Sequence, residues 1–195
     1  MRILGVTGGI GAGKSTVSGL LQRNYGAEII DTDKISREIY EIGAPAYEKV
    51  LAQFGREYLR EDGSIDRKKL ASLVFTDEEA LKRLNAIAHP AIQEEVERRL
   101  AQAKGLAVVD GALLIEAGFY RLVDKLLLVT ADMEVRLARI MQRDGCTRQQ
   151  ALDRVASQMP DEEKKRYADV VLDNSLGMDA LERRLAAAME ELEER

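Results

Sequence analysis

Gly8-Gly9-Ile10-Gly11-Ala12-Gly13-Lys14-Ser15 matches G-x-x-x-x-G-K-[ST] in full, and no other feature restricts the fold of this chain as strongly. The flanks fit the motif. A short apolar run, residues 3–6, precedes the glycines, and a helical pattern with Val17, Leu20 and Leu21 on one face follows them. Each part has a physical task. Glycines let the backbone turn so that N–H groups face phosphate oxygens. The helix N-terminus adds the positive end of its dipole. Lys14 supplies a mobile point charge for the β- and γ-phosphates, and Ser15 offers a hydroxyl to Mg²⁺. Thr16 lies in the first helical turn, where its N–H and hydroxyl reach phosphate. The bland alternative is a glycine-rich strand-to-helix turn with a chance Lys-Ser. Strand, loop and helix in register favour ATP or GTP binding instead.

Apolar runs like the first one recur at residues 27–30, 106–109, 126–129 and 170–172. They are short, rich in Leu and β-branched residues, and not cleanly alternating, as strands buried on both faces are. Helical patterns lie between them, so the expectation is an α/β fold with a five-stranded parallel sheet covered on both sides. Pro45 can sit in the first turn of a helix whose face is Tyr47, Val50, Leu51 and Phe54, stopped by Gly55. Thr76 with Glu79 reads as a capping box for Leu81, Leu84 and Ala88. Pro90 interrupts that helix or starts another, carrying Ile92, Val96 and Leu100. Asp132 reads as the N-cap of a helix with Leu137, Ile140 and Met141. Thr147 with Gln150 is a second capping box, leading to Leu152 and Val155. Leu181, Leu185, Met189 and Leu192 form a last amphipathic helix. Residues 32–105 are too long for a simple crossover and read as a helical insertion. Residues 142–160, polar and Arg-bearing, read as a smaller one.

Composition narrows the class. The 195 residues are 46% hydrophobic, enough for one domain with a core and a small subdomain. The net charge of −5 argues against coating nucleic acid by bulk positive charge. That sum hides a local contrast. Residues 177–195 hold six acids and three Arg, whereas residues 131–160 hold five Arg and four acids. Cys146 is the only cysteine, so no intrachain disulfide can form and a reducing compartment fits. No apolar run approaches the roughly 20 residues that span a bilayer. The first residues are too quickly glycine-rich for a secretory signal. The expectation is a cytoplasmic protein with no membrane or nucleic-acid partner.

No Asn-Lys-x-Asp guanine signature is present. A small kinase needs an acceptor site, a carboxylate near it, and cations that follow the phosphoryl group. Asp31-Thr32-Asp33 ends the second strand, the edge where open parallel sheets bind ligands. Its carboxylates can accept a hydroxyl proton or hold a Mg²⁺-bound water; the alternative is a helix cap. Asp110 ends the third strand, either orienting the Mg²⁺ shell or merely forming the turn Asp110-Gly111. Among Arg136, Arg139, Arg143, Arg148 and Arg154, the pair Arg139 and Arg143 share a helix face and are the candidates for phosphate contact; the others read as solvated or paired. His89 precedes Pro90, which pushes it out of the helical region to a break in the insertion. Its options are a cap, a core contact or substrate binding.

Together these residues resemble the dephospho-coenzyme A kinase family. The resemblance rests on Thr7-Gly8-Gly9-Ile10-Gly11-Ala12-Gly13-Lys14-Ser15-Thr16, Asp31-Thr32-Asp33 and His89-Pro90. Arg139-x-x-x-Arg143-Asp144, Gln158, Ala168-Asp169 and Asp173-Asn174 complete it, in order over about nine-tenths of the chain. It implies a P-loop NTPase three-layer α/β/α fold with a core of residues 1–31 and 106–195. It also implies a helical substrate-binding domain at 32–105 and a lid near 142–160. The implied reaction is ATP-dependent phosphorylation of the ribose 3′-hydroxyl of dephospho-coenzyme A, a small-molecule substrate; a monomer is expected, although the sequence does not fix the oligomeric state. In the implied site, residues 8–16 cradle ATP, with Ser15 and Asp110 toward Mg²⁺ and Asn174 near the adenine. Asp33 acts as general base, supported by Asp31; Thr7 and His89 lie toward substrate, and Arg139 and Arg143 close over ATP. One position departs from the family pattern: Ala112 stands where a proline is usual. The rival readings are a nucleoside monophosphate kinase and a non-catalytic ATP-binding switch.

Overall fold

Each short apolar run becomes a strand in the computed structural model, which describes residues 2–194. The strands are β1 (Arg2–Thr7), β2 (Glu28–Asp31), β3 (Leu106–Asp110), β4 (Lys125–Thr130) and β5 (Val170–Asp173). They form one sheet in the order β2-β3-β1-β4-β5, parallel at every pairing. Ala107, Val108 and Val109 of β3 and Leu127, Leu128 and Val129 of β4 are fully buried. That double-sided burial is why their sequences do not alternate. The edge strand β5 does alternate, with Val171 exposed between buried Val170 and Leu172.

The helices are α1 (Lys14–Tyr25), α2 (Thr32–Glu38), α3 (Tyr47–Phe54), α4 (Arg67–Thr76) and α5 (Glu78–Gln102), then α6 (Met133–Asp144), α7 (Arg148–Ala156), α8 (Asp161–Lys164) and α9 (Met178–Glu194). The chain separates into two compact units, one of residues up to Asp31 with those from Gln102 on, the other Thr32–Ala101.

The first unit holds the sheet in a three-layer α/β/α arrangement. Val17, Leu20 and Leu21 of α1 and Leu181, Leu185, Met189 and Leu192 of α9 join Leu4, Val6, Leu127 and Leu172 in one core. Burying each such side chain stabilises the fold by about 1.5–3 kcal/mol. A smaller cluster joins α6 to α7, with Leu137, Ile140 and Ala151 packed beside Ile10, Leu152 and Val155. The Thr147–Gln150 capping box forms as the spacing requires. Asp132 stands at the N-cap position of α6 but makes no capping bond; its own N–H donates to Ser175 Oγ at 2.8 Å. Among the described residues no helix is long and apolar enough to cross a membrane.

In the second unit, Tyr47, Val50, Phe54, Ile65, Leu70 and Ala80 form the core, with Leu73, Leu84 and Ile87 against it. Gly55 ends α3 with φ +92°, a conformation other residues resist. Two expectations from the sequence fail in this unit. The capping box at Thr76 does not form. Thr76 closes α4, donating to the Leu73 carbonyl at 3.1 Å, and Asp77 caps α5 by accepting from the Ala80 N–H at 2.9 Å. The carboxylate is the stronger acceptor and lies one residue closer to the helix. Nor does Pro90 break the helix, because α5 runs through it. Pro90 removes one helical bond, at a cost of about 3 kcal/mol. Ala88, Ala91, Ile92 and Val96 are all buried on either side of it, and their burial outweighs that cost. His89 therefore lies within a continuous helix and not at a break.

The last turns of α5 carry an ion-pair network. Glu95 accepts from Arg98 Nε at 2.7 Å and from Arg99 Nε at 2.6 Å, and Arg99 also pairs with Glu38. The bond from Arg98, then that from Arg99, holds the Glu95 carboxyl at about 2, against an ordinary 4.5. A lowered carboxyl pKa adds stability above the unfolded value, which is lost as pH falls through the folded one. In acid titrations followed by circular dichroism, Glu95→Gln should therefore unfold more readily than wild type above pH 4.5. The difference should shrink between pH 4.5 and 2 and vanish below it; a constant difference would contradict this account.

Candidate active site

The phosphate loop leaves β1 at Gly8 and enters α1 at Lys14. Gly11 (φ +79°) and Gly13 (φ +92°) adopt left-handed conformations, which among the described residues occur only at glycine. Close approach constrains the others. A Cβ on Gly8 would run into the Val129 carbonyl of β4, and one on Gly9 into the Arg136 guanidinium. Neighbouring segments thus press on the loop from outside.

Those neighbours also take up the loop's carbonyls. Arg136 Nε donates to the Ile10 carbonyl at 2.9 Å, and Arg139 donates to those of Gly11 and Ala12 at 3.3 Å. Asn174 Nδ2 reaches the Ala12 carbonyl at 2.8 Å, and the Ala12 N–H closes onto Gly9. With its acceptors engaged, a glycine-rich loop at a helix N-terminus is suited to offer N–H groups to an anion. The Ile10 N–H is an exception, donating to Gln158 Oε1 at 2.8 Å.

Parallel register supplies the carboxylates. Asp110 pairs with Val6 on one side and with Asp31 on the other, so two acids stand side by side at the strand ends. Asp110 is buried and forms an ion pair with Lys14. Ser15 is exposed in the first turn of α1. A hydroxyl and carboxylates are hard oxygen donors of the kind Mg²⁺ takes. Among the described residues no three His, Cys, Asp or Glu cluster to hold a metal alone. This donor set therefore fits an ion bound chiefly through phosphates and water.

Thr7 is buried, its hydroxyl donating to the Ala112 carbonyl at 3.4 Å. Asn174 is buried after β5, its N–H bonded to the Thr130 carbonyl and its own carbonyl accepting from Arg139 at 2.9 Å. Asp33 lies in the first turn of α2, its carbonyl accepting from Ser36 Oγ, and His89 lies in α5; both belong to the second unit. Arg139 reaches the loop. Arg143 is exposed and grips Asp144 with two bonds of 2.7 and 2.9 Å, which hold the Asp144 carboxyl below its ordinary range. Arg148 pairs with Glu134 and Arg154 with Asp144.

Sequence reasoning missed Arg136, reading it as solvated or surface-paired. It is 5% exposed and also bonds Asp161 at 3.1 Å. The signal for it lies in spacing: Arg136 and Arg139, three apart, share a helix face as well as Arg139 and Arg143 do. Nothing in the sequence marks out Lys164, yet its side chain is fully buried.

A family model described as Dephospho-CoA kinase matches residues 2–180. Over 189 residues the chain is 47% identical to a dephospho-CoA kinase of Geobacter sulfurreducens, covering 95% of each. A crystal structure of a Thermus thermophilus protein superposes with a TM-score of 0.85 at 38% identity, covering 98% of this chain and 97% of that one. The dephospho-CoA kinase of Campylobacter jejuni superposes with a TM-score of 0.72 at 30% identity, covering 100% and 98%.

Removing Arg136 takes a buried guanidinium away from both the Ile10 carbonyl and the partly exposed Asp161 carboxylate. Arg136→Ala should therefore cost about 3 kcal/mol of stability in urea unfolding. Nucleotide affinity should fall with it, because Ile10 loses a donor. Unchanged affinity, measured by calorimetry on the folded variant, would detach Arg136 from the loop's function.

Proposed function

This chain belongs to the dephospho-coenzyme A kinase family, and on that premise we propose how its own residues carry the reaction. The enzyme transfers the γ-phosphoryl group of ATP to the ribose 3′-hydroxyl of dephospho-coenzyme A, giving coenzyme A and ADP, the last step of coenzyme A biosynthesis. The family match does not favour the alternative of a nucleoside monophosphate kinase.

One observation carries the residue assignment: a loop with its carbonyls held from outside, next to the Lys14–Asp110 pair that joins the start of α1 to the end of β3. In this reading, the loop of residues 8–16 cradles the ATP phosphates with backbone N–H groups other than those of Ile10 and Ala12, which are engaged within the protein, and with the Lys14 ammonium. Thr7 borders the substrate side, and Asn174 lies toward the adenine. Thr32–Ala101 is the substrate-binding domain, in which His89 contacts dephospho-coenzyme A. Asp33 orients the ribose 3′-hydroxyl and accepts its proton as the oxygen bonds to the γ-phosphorus. The bond from the γ-phosphorus to the bridging oxygen breaks, and ADP leaves. Asp31 supports Asp33. Lys14, Arg139 and Arg143 offset charge on the moving phosphoryl group, with residues 142–160 as the lid that excludes water. Ser15 and Asp110 would hold Mg²⁺, whose charge would neutralise that of the β- and γ-phosphates. The transition state is loose, so most of the acceleration comes from positioning and electrostatics. The proposed setting is the cytoplasm, with the enzyme a monomer.

Two substitutions test the assignment in a coupled ADP-release assay. Asp33→Asn should lower kcat about 10²–10⁴-fold with ATP affinity nearly unchanged, as loss of a general base does. Lys14→Ala should lower kcat about 10²–10³-fold, as loss of one transition-state donor does. Full turnover by either variant would remove that residue from the mechanism. Activity on nucleoside monophosphates equal to that on dephospho-coenzyme A would overturn the acceptor.

A further inference from the structure

Among the described residues Lys164 has the largest fully buried side chain, and the proposed phosphoryl transfer does not use it. A lysine is buried to its ammonium only where acceptors surround it. Lys164 Nζ has two, the Ala112 carbonyl at 2.9 Å and Glu116 Oε1 at 3.0 Å. Both belong to the irregular turn that leaves Asp110. The same Ala112 carbonyl accepts from Thr7 Oγ1, and the Gly111 N–H donates to the Val6 carbonyl at 3.1 Å. Val6 and Thr7 are the last residues of the strand that enters the phosphate loop. The start of this turn is thus stitched to β1, and its third anchor is an ammonium 52 residues away in sequence. Gly111 and Ala112 carry little side chain to restrain the turn themselves. Filling the same space with Leu or Met would avoid the desolvation of an ammonium, so packing alone does not account for a lysine here.

We propose that Lys164 is a positioning residue for phosphoryl transfer. By holding the Ala112 carbonyl and Glu116, it fixes the turn after β3 and so sets where the Asp110 carboxylate meets Lys14. This rests on the role proposed for Asp110. Neighbouring residues act on the loop itself: Gln158 accepts from Ile10, and Asp161 pairs with Arg136. The short stretch from Gln158 to Lys164 therefore supports the phosphate loop and the Asp110 turn together.

The experiment compares Lys164→Met, Lys164→Arg, Glu116→Gln and Asp110→Asn in the full chain. Circular dichroism establishes folding. Steady-state kinetics separate kcat from the KM of each substrate, and hydrogen exchange reads the amides of residues 111–117. Lys164→Met should lower kcat about 10- to 100-fold, the scale of a small misplacement of reacting groups. KM for dephospho-coenzyme A should stay within about threefold of wild type, as expected for loss of an interaction made in the transition state. Exchange should accelerate at 111–117, and Lys164→Arg should recover most of kcat. Wild-type kcat in Lys164→Met beside an inactive Asp110→Asn would overturn the inference and leave the proposed reaction standing. So would failure of Lys164→Arg to improve on Lys164→Met. Full activity of Asp110→Asn would instead sink the reading of Asp110. If Lys164→Met does not fold, Glu116→Gln decides: a lowered kcat with faster local exchange supports the inference, and wild-type values for both overturn it.

Discussion

Residues 8–13 have no regular secondary structure, yet they must hold their peptide groups in one orientation if they are to grip a phosphate. Donors from distant segments maintain that orientation. Arg136, Arg139 and Asn174 all donate to loop carbonyls, and Gln158 accepts from the loop's Ile10. A site whose dipoles are already aimed needs no reorganisation when charge moves through it. The arrangement has a desolvation cost, since Arg136 is buried, and its pairing with Asp161 offsets part of it. The glycines follow from the same packing. They are required where the backbone turns left-handed and where β4 and α6 leave no room for a Cβ.

The sheet supplies the second half of the geometry. A parallel register aligns strand ends on one edge, so β1, β2 and β3 deliver the phosphate loop, Asp31 and Asp110 to one place without any long-range choice by the side chains. The Lys14–Asp110 pair sits at that edge, between a group suited to phosphate and one suited to a metal's water shell. Net charge says little about such a site. The acidic residues that dominate the sum belong largely to α9, whose apolar face packs in the core, while the arginines of α6 face the loop or pair at the surface.

Elements decided by local chemistry are legible in the amino-acid sequence. The five strands, the capping box at Thr147 and the core stripe of α9 follow from periodicity within a few residues. Where two signals compete, the pattern of the sequence alone does not name the winner. Thr76 and Asp77 both qualify as caps, and the stronger acceptor takes the position. Pro90 carries a real helix penalty, but penalties of that size yield to burial of four residues around it. Among five arginines in one polar stretch, spacing alone does not distinguish Arg136 from Arg143, because both lie one turn from Arg139.

The sequence by itself determined the class of this protein. A phosphate loop is a contiguous pattern whose chemistry resides in its own backbone and one lysine, and the ordered motifs after it single out one kinase family. Only the tertiary structure decided what holds that loop open and what steadies the carboxylate beside it. Arg136 meets Ile10 across 126 positions, Asn174 meets Ala12 across 162, and Lys164 meets Ala112 across 52. Partnerships of that range leave no local periodicity behind. A buried Lys and a solvated one are spelled alike, and the fold alone removes the water that separates them.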